Sequence, residues 1–219
     1  MIDISFDTSE LVEQVDRIAM LDSTTLAEMR LDAVNVVSLT VRKKSIDQTH
    51  AELNLSRDYI EARIARAEAK GTTARALVTS EVRGATLQRF GAQQDVAPVN
   101  WSNSRIEALG HKFGKWPGWT YRKGDASRGI DEDDKAAGVS VDVNRKGAKT
   151  ITSAFTMPLK NGNGTGTFRR EGGKVKHLYG PSVYQVFRRY ITTNEQAIAD
   201  TLRDEFVDRL DTKIQEILK

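Results

Sequence analysis

The sharpest change of hydrophobic period in the sequence lies at the segment HLYGPSV, residues 177–183. Before it, short runs with the two-residue period of β-strands are interrupted by glycines. After it, apolar residues recur at helical spacing almost to the last residue. Gly180 can adopt backbone angles that other residues resist, and Pro181 suits the first turn of a helix, which needs no N–H from it. The segment therefore predicts a corner between a strand and a helix, whose structural motif is Tyr179, Gly180, Pro181 and Ser182.

The helix predicted for residues 181–219 carries a narrow apolar stripe. At 1.5 Å per residue, a continuous helix here would be about 57 Å long. Thr192 and Glu195 could form a capping box, so the pattern fits a helix that breaks there as well as it fits a continuous helix. The stripe allows two interpretations, which are packing in the core of its own domain and packing against an adjacent subunit. Under the second, the candidate interface residues on this helix are Phe187, Ile191, Leu202, Phe206 and Leu210.

The N-terminal region, residues 1–62, has the apolar spacing of several helices. The first begins at Ser9. A second, capped by Ser23 or Thr24, continues to about Lys44. This half of the chain is therefore predicted to be helical.

The segment Ser45–Ile64 predicts two further short helices, one over residues 46–53 and one capped by Ser56. Two short helices in succession resemble a helix-turn-helix, in which Arg57 and Arg63 would contact DNA phosphates or bases. Acidic residues in the same second helix would repel phosphates. The segment therefore has two interpretations, a structural helical hairpin and a DNA-binding element.

A β-rich core is predicted for residues 63–180. Alternation of apolar and polar residues marks strands, and a hairpin is predicted where two such runs flank Gly172-Gly173. The predicted strands cover residues 74–82, 138–144, 151–159, 165–171 and 174–178.

Between about residues 91 and 137 no hydrophobic period is sustained, which predicts a long loop. An acidic run over residues 131–134 is predicted to be a solvated turn. Trp116 and Trp119 are candidate interface residues, because aromatic side chains in a long insertion anchor it to its own domain or to a neighbouring subunit. Alternatively, the segment Trp116–Arg122 forms an aromatic and basic platform for nucleotide bases.

The whole chain is expected to be one domain with extended arms.

The overall charge is close to balanced, with 33 basic and 30 acidic residues and a net charge of +3. This net charge is too small to predict nucleic-acid binding from the electrostatic field of the whole protein. The absence of cysteine excludes disulfides, and the absence of a run of about 18 apolar residues predicts no membrane span. The N-terminal residues lack the basic and apolar regions of a signal peptide. A protein of the cytoplasm, or one assembled there, is expected.

No arrangement of residues predicts catalysis. The three histidines are far apart in the sequence and lack metal-ligand spacing, and there is neither a Gly-x-Ser-x-Gly elbow nor a Walker sequence. We therefore expect no catalytic residues, no metal, no cofactor and no enzyme activity.

Four phrases in linear order resemble the prophage minor tail protein Z family of tailed bacteriophages. They are GVSVDVNRKG (138–147), TSAFTMPL (152–159), GTGTFRREGGKVKHL (164–178) and YGPSV (179–183). The run from about residue 41 to 87, including LSRDYIEARI, also fits that family's helix-then-strand opening. The chain differs from the family pattern in its Trp-containing insertion and in a longer C-terminal helix.

This resemblance implies an α+β fold, with the N-terminal helices and the long C-terminal helix packed on a small, mostly antiparallel β-sheet. It also implies a structural protein of the virion, in the neck or at the head-proximal end of the tail. Such tail completion proteins form homo-oligomeric rings, here of six or twelve copies, and help in head-tail joining. The implied partners are other neck and tail proteins and, without sequence preference, DNA in the channel.

Overall fold

The computed structural model describes residues 2–5, 21–71, 74–98, 134–159, 164–172 and 174–217. The chain divides into two compact units, which are described separately. The first, here called the helical unit, comprises Met1–Glu52, Ser56–Arg83 and Ser182–Lys219. The second, here called the β unit, comprises Leu53–Leu55 and Gly84–Pro181.

The helical unit is built on two long helices. Helix α1 spans Ser23–Glu52 and helix α3 spans Val183–Ile217, and they pack against each other. A five-residue helix, α2 (Arg57–Glu61), follows α1. A small antiparallel sheet of order β1-β3-β2 contacts α1, and its strands are β1 (Ile2–Ser5), β2 (Ile64–Ala67) and β3 (Arg75–Ser80).

Helix α1 begins where a side chain satisfies its first N–H groups. Asp22 Oδ1 accepts hydrogen bonds from the N–H groups of Thr24 (2.9 Å) and Thr25 (2.8 Å). The bond from the Thr25 N–H is the largest cause that lowers the pKa of the Asp22 carboxyl from its ordinary 3.8. The predicted cap at Ser23 or Thr24 was therefore wrong by one or two residues, because the carboxylate of Asp22 takes that position.

The predicted break after Lys44 was also wrong, since α1 continues to Glu52. Ser45 suggests a turn in a sequence, but its buried hydroxyl donates to the carbonyl of Val41 (2.7 Å) one turn earlier. A serine satisfied in this way is tolerated inside a helix.

Helix α3 contains one non-helical residue, Asn194 (φ −112°, ψ 15°), where the helix is kinked. The Asn194 Nδ2 donates to the carbonyl of Tyr190 (2.8 Å) at this point. The kink lies between Thr192 and Glu195, the place where the sequence allowed a break. Within the described ranges, no helix is long and apolar enough to cross a membrane.

The β unit has two three-stranded antiparallel sheets and a 3₁₀ helix, Leu87–Phe90. One sheet has the order β4-β5-β6 and the other β7-β8-β9. Ser153 has a left-handed backbone conformation (φ 61°) and separates β6 from β7. It therefore divides the single strand that was predicted over residues 151–159. The strands are β4 (Gln93–Pro98), β5 (Asp134–Val141), β6 (Lys149–Thr152), β7 (Ala154–Pro158), β8 (Thr165–Glu171) and β9 (Lys174–His177).

The predicted loop over residues 91–137 was too long at both ends. Gln93–Pro98 and Asp134–Val141 are strands, and they pair with each other from Gln93↔Ser140 to Pro98↔Asp134. Strand β4 lies at a sheet edge, where polar residues and proline are tolerated, so it lacks the alternation that marks a strand in the sequence. Asp134 accordingly begins a strand instead of ending an acidic turn.

The α+β class is confirmed, with the long helices α1 and α3 and only antiparallel pairing between the named strands of the described residues. The described residues form three small sheets instead of the single sheet predicted. The division between Pro181 and Ser182 lies one residue from the predicted boundary at 180, but the predicted boundary at 62 is not followed, because β2 and β3 belong to the same unit as the helices. One domain with extended arms stays a prediction.

Candidate functional site

The candidate site is a groove in the β unit with a cavity volume of about 460 Å³. It is formed by the end of β5 and the turn after it, by β6, by one residue of β8 and by the strand-to-helix corner. Its lining residues are Leu87, Val141–Asn144, Lys146, Gly147, Lys149, Ile151, Arg169 and Leu178–Pro181. Residues far apart in the sequence thus form one surface.

The corner predicted from the sequence closes this groove. Tyr179 forms an isolated antiparallel bridge with Thr86, and the Gly180 N–H donates to the carbonyl of Ala85 (2.8 Å). The sequence suggested that Gly180 adopts backbone angles that other residues resist, but its φ is not positive. A Cβ on Gly180 would instead lie 2.4 Å from Cε2 of Phe90. Glycine is therefore needed here because a buried ring lies against the backbone.

Ser182 begins the helix that follows the corner. Its Oγ accepts from the Gln185 N–H (3.3 Å), and its own N–H donates to Gln185 Oε1 (3.1 Å). This reciprocal pair is a capping box. Pro181 precedes the cap, so the prediction that it lies in the first helical turn was wrong.

A row of four rings crosses the β7-β8-β9 sheet and ends at the groove, with the first three stacked and Tyr179 tilted by 41° against His177. Phe155 and Phe168 have centroids 6.3 Å apart, Phe168 and His177 4.6 Å, and His177 and Tyr179 4.3 Å. Strand register places three of these rings side by side, since Phe168 pairs with both Phe155 and His177. Gly166 leaves room for them, because a Cβ there would lie 2.9 Å from His177 Nε2. This row was not predicted from the sequence, because alternation marks strands without showing which rings lie side by side.

Burial lowers the pKa of the His177 imidazole from its ordinary value of 6.5. Among the described residues, its buried Nε2 has no hydrogen-bond partner. The protonated ring is thus less favourable in the folded protein than in the unfolded chain.

We expect the free energy of unfolding to fall as the pH drops below 6.5 towards the lowered pKa of His177. Between those two values the unfolded chain binds more protons, so acid favours unfolding, and the contribution is complete above 6.5. Urea unfolding at several pH values between 5 and 8 should show a shallower dependence for His177→Gln than for wild type. His50→Gln, on helix α1, is the control. An unchanged slope in His177→Gln would contradict this account.

Positive charge borders the groove. Lys146, Lys149 and Arg169 line it, against one carboxylate, Asp142. Asp142 Oδ1 already accepts from the Lys146 N–H (3.2 Å), and Arg169 forms an ion pair with Glu171. The described part of the β unit has nine basic and four acidic residues, a net charge of +5 that exceeds the +3 of the whole chain.

Four of the five predicted interface residues on the C-terminal helix belong to the protein's own core. Phe187, Leu202, Phe206 and Leu210 are buried within the helical unit, and Ile191 is half-buried. The first four are therefore not available to a neighbouring subunit, because their side chains are already covered within the chain itself. Trp116 and Trp119 lie outside the described residues, as does the Trp116–Arg122 platform.

The segment Ser45–Ile64 is not a pair of short helices. Its first part is the end of the 30-residue helix α1, and only α2 is short. Arg57 forms ion pairs with Asp47 (2.7 Å) and Glu61 (2.9 Å). Arg63 pairs with Glu81 and lies over the ring of Tyr59. Both arginines predicted to contact DNA are thus engaged within the protein.

Within the described parts of the chain, no group of three His, Asp or Glu side chains could hold a metal ion. No protein-family model, curated protein or solved structure matches the chain.

Proposed function

We propose that this chain is a structural subunit of a tailed-bacteriophage virion. It forms a homo-oligomeric ring in the neck or at the head-proximal end of the tail, where it completes the tail and helps join it to the head. The linear order of the four phrases between residues 138 and 183 carries this proposal, because these phrases resemble the minor tail protein Z family.

The positions of the phrases support the proposal. GVSVDVNRKG contributes Val141–Asn144, Lys146 and Gly147 to the groove, the hairpin phrase contributes Arg169 and Leu178, and YGPSV contributes Tyr179–Pro181. TSAFTMPL forms β7, which pairs with β8 of the hairpin. A resemblance based on a shared assembly surface predicts that separate phrases meet in space, as three of these four do.

The proposed partners are six or twelve copies of the chain itself and other neck and tail proteins. The place of action is the virion, after assembly in the cytoplasm of the bacterial host. The role is architectural and requires neither catalysis nor a cofactor.

Imaging of particles made from the genome that encodes this chain tests the proposal. We expect density for a ring of this protein between the portal and the tail tube. A deletion of the gene should yield filled heads and tails that do not join. A stable monomer at high concentration, together with no copies in purified particles, would exclude the proposed role.

A second function, binding of nucleic acid, is favoured by one observation, the net charge of +5 in the described β unit. Arg170 and Lys174 are exposed on the β8-β9 hairpin, and neither forms an ion pair among the described residues. In the assembled ring this hairpin would contact DNA in the channel without sequence preference.

Fluorescence anisotropy with duplex and single-stranded DNA at several salt concentrations tests this second function. Arg170→Glu with Lys174→Glu should reduce the slope of log K against log salt by about two, one for each lost phosphate contact. Arg57→Gln should leave the slope unchanged, since Arg57 is held by two carboxylates. Binding that depends on Arg57 and not on the hairpin would contradict this second function.

A further inference from the structure

We propose that the groove of the β unit docks an extended segment of a neighbouring virion protein, one that carries acidic side chains beside an apolar or aromatic side chain. This inference rests on the proposed assembly role, and it names the surface and the chemistry of the partner. Three features of the groove lead to it, which are its floor, its charge and its exposed ring.

The floor of the groove is apolar and incompletely buried. Val143, Ile151, Leu178 and Pro181 line it, and each remains partly exposed in the chain alone. Covering this surface would remove apolar area from water, which favours association. The volume of about 460 Å³ lies within the range of about 300–1,000 Å³ that is usual for binding pockets. A partner with at least one apolar side chain fits this floor.

The charge of the border selects an acidic partner. Lys146 and Lys149 are exposed, and no carboxylate of the described residues forms an ion pair with either ammonium group. Arg169 has one ion pair, while its buried Nε has no hydrogen-bond partner among those residues. Carboxylates of a partner would complement these cations and orient the segment in the groove.

Tyr179 supplies a rigid aromatic contact. Its side chain is held on one side by His177, with centroids 4.3 Å apart, yet the residue remains 53% exposed. A ring already in contact with its neighbour on one side loses less conformational entropy when a partner packs on it. Tyrosine is also among the residues that most often dominate binding energy in protein interfaces.

The same features favour a protein segment over single-stranded nucleic acid. Nucleic-acid grooves present several aromatic faces on which successive bases stack. Here Phe155, Phe168 and His177 stack on one another, and only Tyr179 lies in the groove lining. The remaining floor is mostly aliphatic, which suits the side chains of a peptide.

Selection from a random library of displayed 12-residue peptides tests the inference, with the full-length protein as the target. We expect enrichment of peptides with net negative charge and at least one large apolar residue. Synthetic versions of the enriched peptides are then measured by fluorescence anisotropy. Lys146→Glu with Lys149→Glu should weaken their binding by about tenfold or more, as expected for the loss of charge complementarity.

The matched control is Lys43→Glu with Lys44→Glu, two exposed lysines on helix α1 in the other unit. This variant has the same change in net charge and should bind within about twofold of wild type, since neither lysine lines the groove. Tyr179→Ala should weaken binding at constant net charge, which separates docking in the groove from general attraction.

Four outcomes would overturn the inference. The first two are no enrichment, and enrichment of basic or neutral peptides. The third is an equal loss of binding in both double-lysine variants, and the fourth is displacement of the peptide by a 12-nucleotide oligo-dT whose own binding depends on Lys149. The ring in particles is scored separately by imaging. A ring without peptide binding refutes only the groove inference, whereas acidic peptide binding without copies in particles refutes only the virion role.

Discussion

Phe206→Ala should lower the free energy of unfolding by about 3–5 kcal/mol, the range for truncating a buried aromatic side chain. Phe206 has no exposed surface in the chain alone and lies on the face of α3 that packs in the helical unit. The loss combines the transfer energy of the ring with the cavity left beside neighbours such as Leu202 and Leu210, which are also buried. Urea unfolding followed by far-UV circular dichroism measures the change.

The control for Phe206→Ala is Ile217→Ala on the same helix. Ile217 is 57% exposed, so its truncation should change the free energy of unfolding by no more than about 0.5 kcal/mol. If Phe206 served a subunit interface instead of the core, its truncation would dissociate an oligomer while leaving the monomer's unfolding unchanged. That result would restore the interface interpretation of the apolar stripe.

The apolar stripe illustrates what helical periodicity can predict. Its spacing correctly indicated a helix with one buried face, and the Thr192–Glu195 capping box pointed to the place of the kink. Periodicity does not indicate what covers the buried face, because the covering helix α1 lies more than 100 residues earlier in the chain. A core stripe and an interface stripe therefore look alike until the fold is known.

Local signals predicted the β8-β9 hairpin well, since alternation and a Gly-Gly turn are contained within 13 residues. The observed register pairs Glu171 with Lys174 across that turn. Strand β4 was missed because an edge strand with two glutamines, an aspartate and a proline has low β-propensity. Its pairing with β5 is a contact between distant parts of the chain, which no local pattern encodes.

The candidate site could be predicted only in part. The corner was visible as a change of period, and its glycine and proline marked the turn. The rest of the groove comes from the turn after β5, from β6 and from β8, and strand register brings these segments together. The requirement for glycine at position 180 could not be predicted either, because Phe90 is 90 residues away in sequence and touches the corner only in the folded β unit.

Gly180→Ala should destabilise the β unit by about 1–3 kcal/mol, the usual cost of overpacking, and Gly180→Val by more. The new Cβ would lie 2.4 Å from Cε2 and 3.0 Å from Cδ2 of Phe90, well inside van der Waals contact. The ring has little room to retreat, since Phe90 is only 1% exposed. Relief by moving the backbone would strain the hydrogen bond from Gly180 to the Ala85 carbonyl. Hydrogen exchange should accordingly speed up over residues 84–90 and 178–180.

Gly84→Ala provides the matched control, because Gly84 lies in the same unit, has no positive φ and faces the same corner. A Cβ there would meet Tyr179 Cβ at 3.4 Å and the Gly180 carbonyl oxygen at 3.5 Å, which are ordinary contacts. Its effect on the free energy of unfolding should stay within about 0.5 kcal/mol, or be slightly stabilising through a less flexible unfolded chain. Equal stability of the two alanine variants would show that Phe90 yields easily. Peptide binding is the second measurement. Gly180→Ala should also weaken binding of the acidic peptides in the groove, whereas Gly84→Ala should leave it intact.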